Sequence, residues 1–122
     1  MYKLVTMYRR VDDEESLESF FVQRHLPLAE KLPGLLRSEV CRIDGKPGGA
    51  SRFHLTYALY FASQEALLTA LATPAGIALL QALYPWLEAH VISWYYGTAW
   101  ADDHIQPTET DYYSPPPGAA GK

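Results

Sequence analysis

The sequence predicts an α+β protein with the element order β-α-β-β-α-β. Four short runs with strand-like character are separated by two stretches whose apolar residues recur at helical spacing. Clusters of Pro and Gly stand between several of these segments and mark turns. The chain has 122 residues, of which 48% are hydrophobic and 20% are charged. This composition is typical of one globular domain.

The first half of the pattern is a strand over residues 3–9 followed by a helix. The acidic run 12–15 suits a helix start, because unpaired backbone N–H groups there favour negative charge. The residues that then recur at helical spacing are Leu17, Phe20, Phe21, Arg24 and Leu28. Pro27 lacks a backbone N–H and its ring crowds the preceding turn, so we expect the helix to end or kink near residues 25–26. The Pro-Gly pair at 33–34 closes the segment.

Two strands and a loop form the middle of the chain. Residues 35–43 are strand-like but contain arginine and glutamate, which predicts a partly exposed strand. Residues 44–49 form a loop, since Gly and Pro dominate them. Residues 53–62 are the clearest strand, and both of its faces are substantially apolar. That pattern predicts that both faces are covered.

A second helical stretch and a last strand complete the domain. Ser63 caps the stretch and Thr73-Pro74 restarts it, because serine and threonine cap helices and proline suits the first helical position. Residues 91–100 form an aromatic-rich strand. This order builds a ferredoxin-like protomer, a four-stranded antiparallel sheet with helices on one face. The helices leave the other apolar sheet face open, so we expect a homodimer packed sheet to sheet.

Composition and charge argue against several classes of protein. The net charge of −4 and the absence of a basic stripe argue against nucleic-acid binding. No window reaches the roughly 18 consecutive apolar residues of a membrane span, and the first residues enter a strand pattern rather than a signal sequence. The single cysteine, Cys41, argues against internal disulfides and a cysteine zinc cluster. We therefore expect a cytoplasmic protein.

The last part of the chain differs from the rest. Residues 101–122 are rich in Pro and Gly and carry most of the net negative charge. Such a segment suits neither a helix nor a central strand. We therefore expect a folded domain over residues 1–100 and an extended tail over 101–122, which either clasps a partner protomer or is disordered.

The segment 25–34 reads His-Leu-Pro-Leu-Ala-Glu-Lys-Leu-Pro-Gly. It resembles the His-x-Pro…Leu-Pro-Gly signature of EthD-like proteins, which belong to the dimeric α+β barrel superfamily. The Thr73-Pro74-x-Gly76 restart and the aromatic last strand match the same layout. The resemblance implies a homodimer of ferredoxin-like protomers, each with a pocket between sheet and helices.

The resemblance also implies small-molecule chemistry. It favours an enzyme that acts without a cofactor on an apolar oxygenated or aromatic compound by acid/base proton transfer. The reaction would be isomerisation, cyclisation, dehydration or cofactor-free oxygenation, in a catabolic or secondary-metabolic pathway. A haem-binding enzyme of the same superfamily is one alternative. A non-catalytic small-molecule-binding accessory protein is another.

His25 is the candidate catalytic residue. It stands two residues before Pro27, where regular helical bonding is expected to stop, and imidazole exchanges protons near neutral pH. A histidine that only stabilises a helix end is the competing interpretation. The same residue would be the axial ligand in the haem alternative.

Aromatic and histidine side chains on the last two predicted strands are the candidate substrate-binding residues. Tyrosine and tryptophan bind flat ligands by stacking, and tyrosine hydroxyls orient ligand oxygens. These residues are Tyr57, Tyr60, His54, Trp94 and Tyr96. His54 and Tyr60 are expected on the same strand face. The four histidines lack the spacing of a metal motif, so we predict no metal site.

Overall fold

The computed structural model of the chain describes residues 1–103, which form one sheet and a helical layer. The elements, in chain order, are β1 (Tyr2–Arg9), α1 (Glu14–Phe20), a π-helical segment (Phe21–His25), α2 (Leu26–Ala29), β2 (Arg37–Arg42), β3 (Phe53–Phe61), α3 (Gln64–Leu71), α4 (Pro74–Glu88) and β4 (Ile92–Thr98). The predicted element order is confirmed. Residues 104–122, which include most of the predicted tail, lie outside the described residues.

The sheet is antiparallel with the strand order β2-β3-β1-β4. Along β1, the side chains of Leu4, Thr6 and Tyr8 alternate onto the face that the helices cover, and all three are buried. The core lies between this face and the helices. The predicted α+β, ferredoxin-like arrangement with helices on one face is confirmed.

The first helix does not end near residues 25–26 but is continuous through Pro27, and the predicted disturbance there takes the form of a change in helix type. Asp13 caps it by accepting a hydrogen bond from the Ser16 amide at 3.0 Å. Between Phe21 and His25 the helix widens into a π turn, and the Leu26 amide donates to the Phe21 carbonyl. The wider turn admits a residue that cannot donate to the usual carbonyl. The helix therefore changes type where it was expected to end or kink.

The later helices begin as predicted. The Ser63 hydroxyl accepts from the Ala66 amide at 3.1 Å, and the Thr73 hydroxyl accepts from the Gly76 amide at 3.2 Å. Each bond satisfies a backbone N–H that the first helical turn leaves free. Within residues 1–103, no single helix is long and apolar enough to cross a membrane, although α3 and α4, bent by 78°, together reach that length and composition.

A register shift separates His54 from Tyr60. Tyr8 pairs with Leu55 and Arg9 pairs with Phe53, so His54 is the extra residue of a bulge. A bulge breaks the alternation of side chains between the two faces. His54 thereby contacts the first helix, whereas Tyr60 stays on the face away from the helices. The expectation that these two residues share a face is wrong for this reason.

Gly76 lies where α4 passes closest to the end of α3. A Cβ atom at this position would stand 2.4 Å from the carbonyl oxygens of both Ala70 and Leu71. Because the overlap would involve backbone atoms, rotating a side chain cannot relieve it. The restart at Thr73-Pro74 therefore brings two helices together at a position that only glycine fits.

We expect Gly76→Ala to lower the free energy of unfolding by about 1–3 kcal/mol, the usual cost of overpacking. Chemical denaturation at fixed protein concentration measures the change. The matched control is Gly97→Ala in β4, where a Cβ atom meets nothing within 4 Å. Equal stability of the two variants would contradict this account of Gly76.

Candidate functional site

His25 ends the π segment and points into the core. Its side chain is 1% exposed, and its Nδ1 lies 2.5 Å from the Tyr8 hydroxyl oxygen. Tyr8 is fully buried on β1, so the bond joins the middle of the sheet to the first helix. A π turn shifts the direction of the side chains that follow it. The π segment thus positions His25 over β1.

Burial fixes the charge of this pair. Removal of solvent lowers the pKa of His25 from 6.5 to about 3, so the imidazole is neutral near pH 7. Burial also raises the pKa of Tyr8, and the nearby Tyr57 phenol adds to the rise. A neutral imidazole has one N–H donor and one bare acceptor. When Nδ1–H donates to Tyr8, the lone pair of Nε2 is free to accept a proton.

Aromatic rings surround the imidazole. The ring centroids of Tyr57, Phe21 and Tyr8 lie 5.0, 5.5 and 5.7 Å from that of His25. Together these four residues are the His25 centre. Two of its polar atoms, His25 Nε2 and the Tyr57 hydroxyl oxygen, are buried and have no hydrogen-bond partner among residues 1–103. Burial is the main cause that raises the pKa of Tyr57.

Unpaired buried polar atoms are uncommon and costly. Two of them belong to rings whose centroids lie 5.0 Å apart, and they are a neutral nitrogen base and a phenolic donor that a ligand could satisfy. The centre combines a base with a hydrogen-bond donor in a dry aromatic environment. Such an arrangement can remove a proton and stabilise the oxyanion that forms.

A polar cluster adjoins the His25 centre at Phe21. The Arg42 guanidinium donates to both carboxylate oxygens of Glu18 at 3.1 and 2.7 Å, and it lies 6.0 Å from the centroid of the Phe21 ring. His54 Nε2 lies 2.6 Å from Glu18 Oε2. The hydrogen bond from Arg42 contributes most to lowering the pKa of Glu18 to about 2. His54, a candidate substrate-binding residue, is thus held by a carboxylate of the first helix.

Trp94 and Tyr96 line a second feature, an apolar cavity of about 320 Å³ between the sheet edge and the helices. Its lining is Leu4, Leu71, Leu80, Trp94, Tyr95 and Tyr96. We call this cavity the β4 groove. Thr6 pairs with Tyr57 on one side and with Trp94 on the other. Tyr57 of the His25 centre and Trp94 of the groove therefore lie in one row across the sheet, on either side of Thr6.

Tyr60 lies apart from both features. It is on the face of the sheet away from the helices, where Lys3 Nζ and the Arg37 guanidinium carbon stand 5.8 and 5.1 Å from its ring centroid. These residues line a separate cavity of about 340 Å³. Of the predicted site residues, the structure brings together His25 and Tyr57. It joins Trp94 and Tyr96 in the groove and separates Tyr60 from the rest.

Sequence reasoning missed three side chains that build the site. Tyr8 holds His25, Phe21 walls the centre, and Glu18 anchors His54. The apolar spacing of the first helix did indicate that Phe21 faces the core. Nothing in the sequence pairs Tyr8 with His25, because their contact depends on strand register and on the π turn.

The described residues offer no ready metal or haem site. No group of three His, Cys, Asp or Glu side chains within residues 1–103 is close enough to hold a metal ion. Haem on His25 would need an open axial position at Nε2. That atom is buried and three rings enclose the imidazole, so haem could reach Nε2 only if these rings moved apart.

Comparisons with known proteins point to one family. No protein-family model matches the chain. The structure is similar to an ethyl tert-butyl ether D (EthD) family protein from Bacillus halodurans, with a TM-score of 0.77 and 29% identity, covering 82% of this chain and 99% of that one.

Two further proteins are similar to the chain. An uncharacterized 11.0 kDa protein of the thcB-thcC intergenic region of Rhodococcus erythropolis is 25% identical over 76 residues, which are 62% of this chain and 74% of that protein. SnoaB, a cofactor-independent oxygenase from Streptomyces nogalater, shares the fold, with a TM-score of 0.56 and 17% identity over 85% of this chain and 95% of that one. The sequence signature at His25 and the fold agree: the chain is similar to EthD family proteins and has the ferredoxin-like α+β fold.

Proposed function

We propose that the protein is a small-molecule enzyme that transfers protons to and from an apolar oxygenated or aromatic compound without a cofactor. The observation that carries the proposal is the unpaired Nε2 of a neutral, buried His25 beside the unpaired hydroxyl of Tyr57. The resemblance to EthD-like proteins, and the fold shared with a cofactor-independent oxygenase, support the same class of chemistry.

The reaction begins with an acidic C–H group beside a carbonyl. His25 Nε2 takes the proton, the C–H electron pair moves into the carbonyl, and the new oxyanion accepts a hydrogen bond from Tyr57. Return of the proton to another carbon completes an isomerisation. Reaction of the same anion with molecular oxygen is the oxygenase variant. Tyr8 is a positioning residue, because it fixes the imidazole through Nδ1.

The depressed pKa of His25 is compatible with this role. When no substrate is bound at the His25 centre, burial disfavours the protonated form of His25. During the reaction the imidazolium forms beside an enolate of opposite charge, and that partner favours the charged form in a medium of low dielectric constant. The anion therefore supplies the stabilisation that the empty centre lacks. Substrate entry requires the aromatic wall to open, since Nε2 is buried when the wall is closed.

The first prediction concerns proton abstraction, with anthrone as the probe because its methylene group is acidic and lies between aromatic rings. In deuterated buffer without oxygen, the protein should accelerate exchange of that methylene group, as measured by proton NMR. His25→Gln should lower the rate by about 10²–10⁴, the usual contribution of a general base. Tyr57→Phe should lower it less.

The matched control is His90→Asn, because His90 is an exposed histidine with φ of 61°, a conformation that asparagine tolerates. Its exchange rate should equal that of the unaltered protein. Oxygen uptake measured in air separates the oxygenase variant from isomerisation. Equal exchange rates for His25→Gln and the unaltered protein would contradict the proposed role of His25.

A second prediction follows from the charge of His25. The folded state binds a proton at this residue near pH 3, whereas the unfolded state binds it near pH 6.5. Acidification between these values therefore favours unfolding, by about 1.4 kcal/mol per pH unit. Denaturation at a series of pH values should show this slope, and His25→Gln should remove it.

Glu18→Gln separates the contribution of Glu18 to the pH dependence of stability from that of His25. The pKa of Glu18 falls from 4.5 unfolded to about 2 folded, so its contribution is present above pH 4.5 and is lost as the pH falls towards 2. Glu18→Gln should therefore keep the slope between pH 4.5 and 6.5. Loss of that slope in Glu18→Gln, with retention in His25→Gln, would show that His25 is not the buried neutral histidine.

The protein is further proposed to act as a homodimer. The sheet face away from the helices has an apolar centre formed by Val5, Met7 and Ala58, with Thr56 beside them. Charged residues surround it, namely Lys3, Arg9, Arg37 and Glu39. An apolar centre with a charged rim is the usual composition of a protein interface, and no other described element covers this face.

A third prediction tests the dimer. Sedimentation and native mass spectrometry of the full chain should give a dimer, and Thr56→Lys should shift it to monomer because the lysine would be buried at the interface. Thr69→Lys, on the exposed side of α3, should remain dimeric. A monomeric unaltered protein would refute sheet-to-sheet packing.

A further inference from the structure

The β4 groove is open, apolar and without charge. It encloses about 320 Å³, and no charged side chain lines it among residues 1–103. Tyr95 and Tyr96 are 47% and 50% exposed, and Trp94 is half-buried. Aromatic surface of this kind, gathered around one cavity, marks a binding site more often than a free surface.

The groove has a rigid wall. The ring centroid of Tyr2 lies 5.7 Å from that of Tyr96, and Leu4 at the base of the groove is 6% exposed. Leu71 and Leu80 close the helical side. Flat apolar walls on two sides suit a planar ring system, because stacking adds to simple burial of apolar surface.

The groove also lies near the His25 centre. Tyr57, Thr6 and Trp94 occupy neighbouring positions in one row on the face that the helices cover. Adjacent strands are roughly 4.8 Å apart, so the Cα atoms of Tyr57 and Trp94 are about 10 Å apart. Two fused rings with an oxygen at one end span a comparable distance. A ligand stacked on Trp94 would thus direct that oxygen along the row towards Tyr57.

We propose that the β4 groove binds the ring system of the substrate, and that this substrate is an uncharged, fused-ring aromatic compound with an oxygen at one end. The inference rests on the proposed function, because it assigns the reactive oxygen to the His25 centre. Leu80 and Tyr96 select for size and for lack of charge. A carboxylate in the groove would lose its hydration without gaining a cation.

The probes are naphthol and naphthoate, which share a fused-ring body and differ in charge. Titration followed by NMR of the backbone amides and the tryptophan indoles should show naphthol binding with shifts in β4. Naphthoate should bind at least about tenfold more weakly, a difference of about 1.4 kcal/mol. Equal affinity of the two probes would overturn the assignment of an uncharged ligand.

Two variants test whether naphthol binds in the β4 groove. Leu80→Arg should fill the groove and lower naphthol affinity at least about tenfold. Tyr96→Lys should do the same, and it concerns a half-exposed residue whose replacement leaves the core intact. The matched controls are Leu68→Arg and Tyr84→Lys, which are 46% and 55% exposed and lie outside the groove on α3 and α4. The proposed location would be wrong if the control variants also lost affinity for naphthol. It would also be wrong if neither the groove variants nor the controls lost affinity.

Failure of this inference is distinguishable from failure of the proposed function. His25→Gln should keep naphthol binding while it loses exchange of anthrone. Exchange that depends on His25, with naphthol shifts that avoid β4, would refute the groove and leave the proton-transfer proposal standing. A groove occupied by a second copy or by the chain's own last residues would also refute it. In that case naphthol would not bind, and Tyr96→Lys would change the β4 shifts or the oligomeric state.

Discussion

Burial of one neutral histidine between the sheet and the first helix is the constraint on which the rest of the site depends. His25 cannot be charged there without losing hydration that the surrounding rings do not replace. Its hydrogen bond to Tyr8 compensates one nitrogen and ties the helix to the central strand. The other nitrogen has no hydrogen-bond partner among residues 1–103, and that cost is the basis for proposing that it contacts a ligand.

The polar cluster at the edge of the centre serves a different purpose. Arg42 comes from an edge strand, His54 from a bulge in β3, and Glu18 from the first helix. Their bonds connect three elements around Phe21, whose ring walls the His25 centre. Because Arg42 and Glu18 are partly exposed, the pair contributes little stability on its own. Its bonds join the first helix to β2 and β3 beside the His25 centre.

The element order was predictable because each signal is local. Asp13, Ser63 and Thr73 cap helices through bonds to residues three positions ahead, and such spacing is visible in the sequence. The site was only partly predictable, since its contacts depend on register. Tyr8 and His25 contact each other although they are 17 positions apart in the sequence. The bulge at His54 depends on the register in which β1 and β3 pair. Pro27 was correctly identified as a disturbance, but its effect was a change of helix type.

Absence of charge in the β4 groove and suppression of charge at His25 have a common consequence. A ligand that enters uncharged meets a base that is also uncharged, so neither pays a large cost of desolvation before reaction. In the proposed reaction, charge appears only when the proton moves, and it appears as a pair, an imidazolium beside an enolate. Each half of the pair stabilises the other where water cannot. A permanently charged substrate would lose its hydration on entry, before His25 carries an opposite charge that could stabilise it. The two features, one at each end of the row through Thr6, therefore select the same kind of molecule.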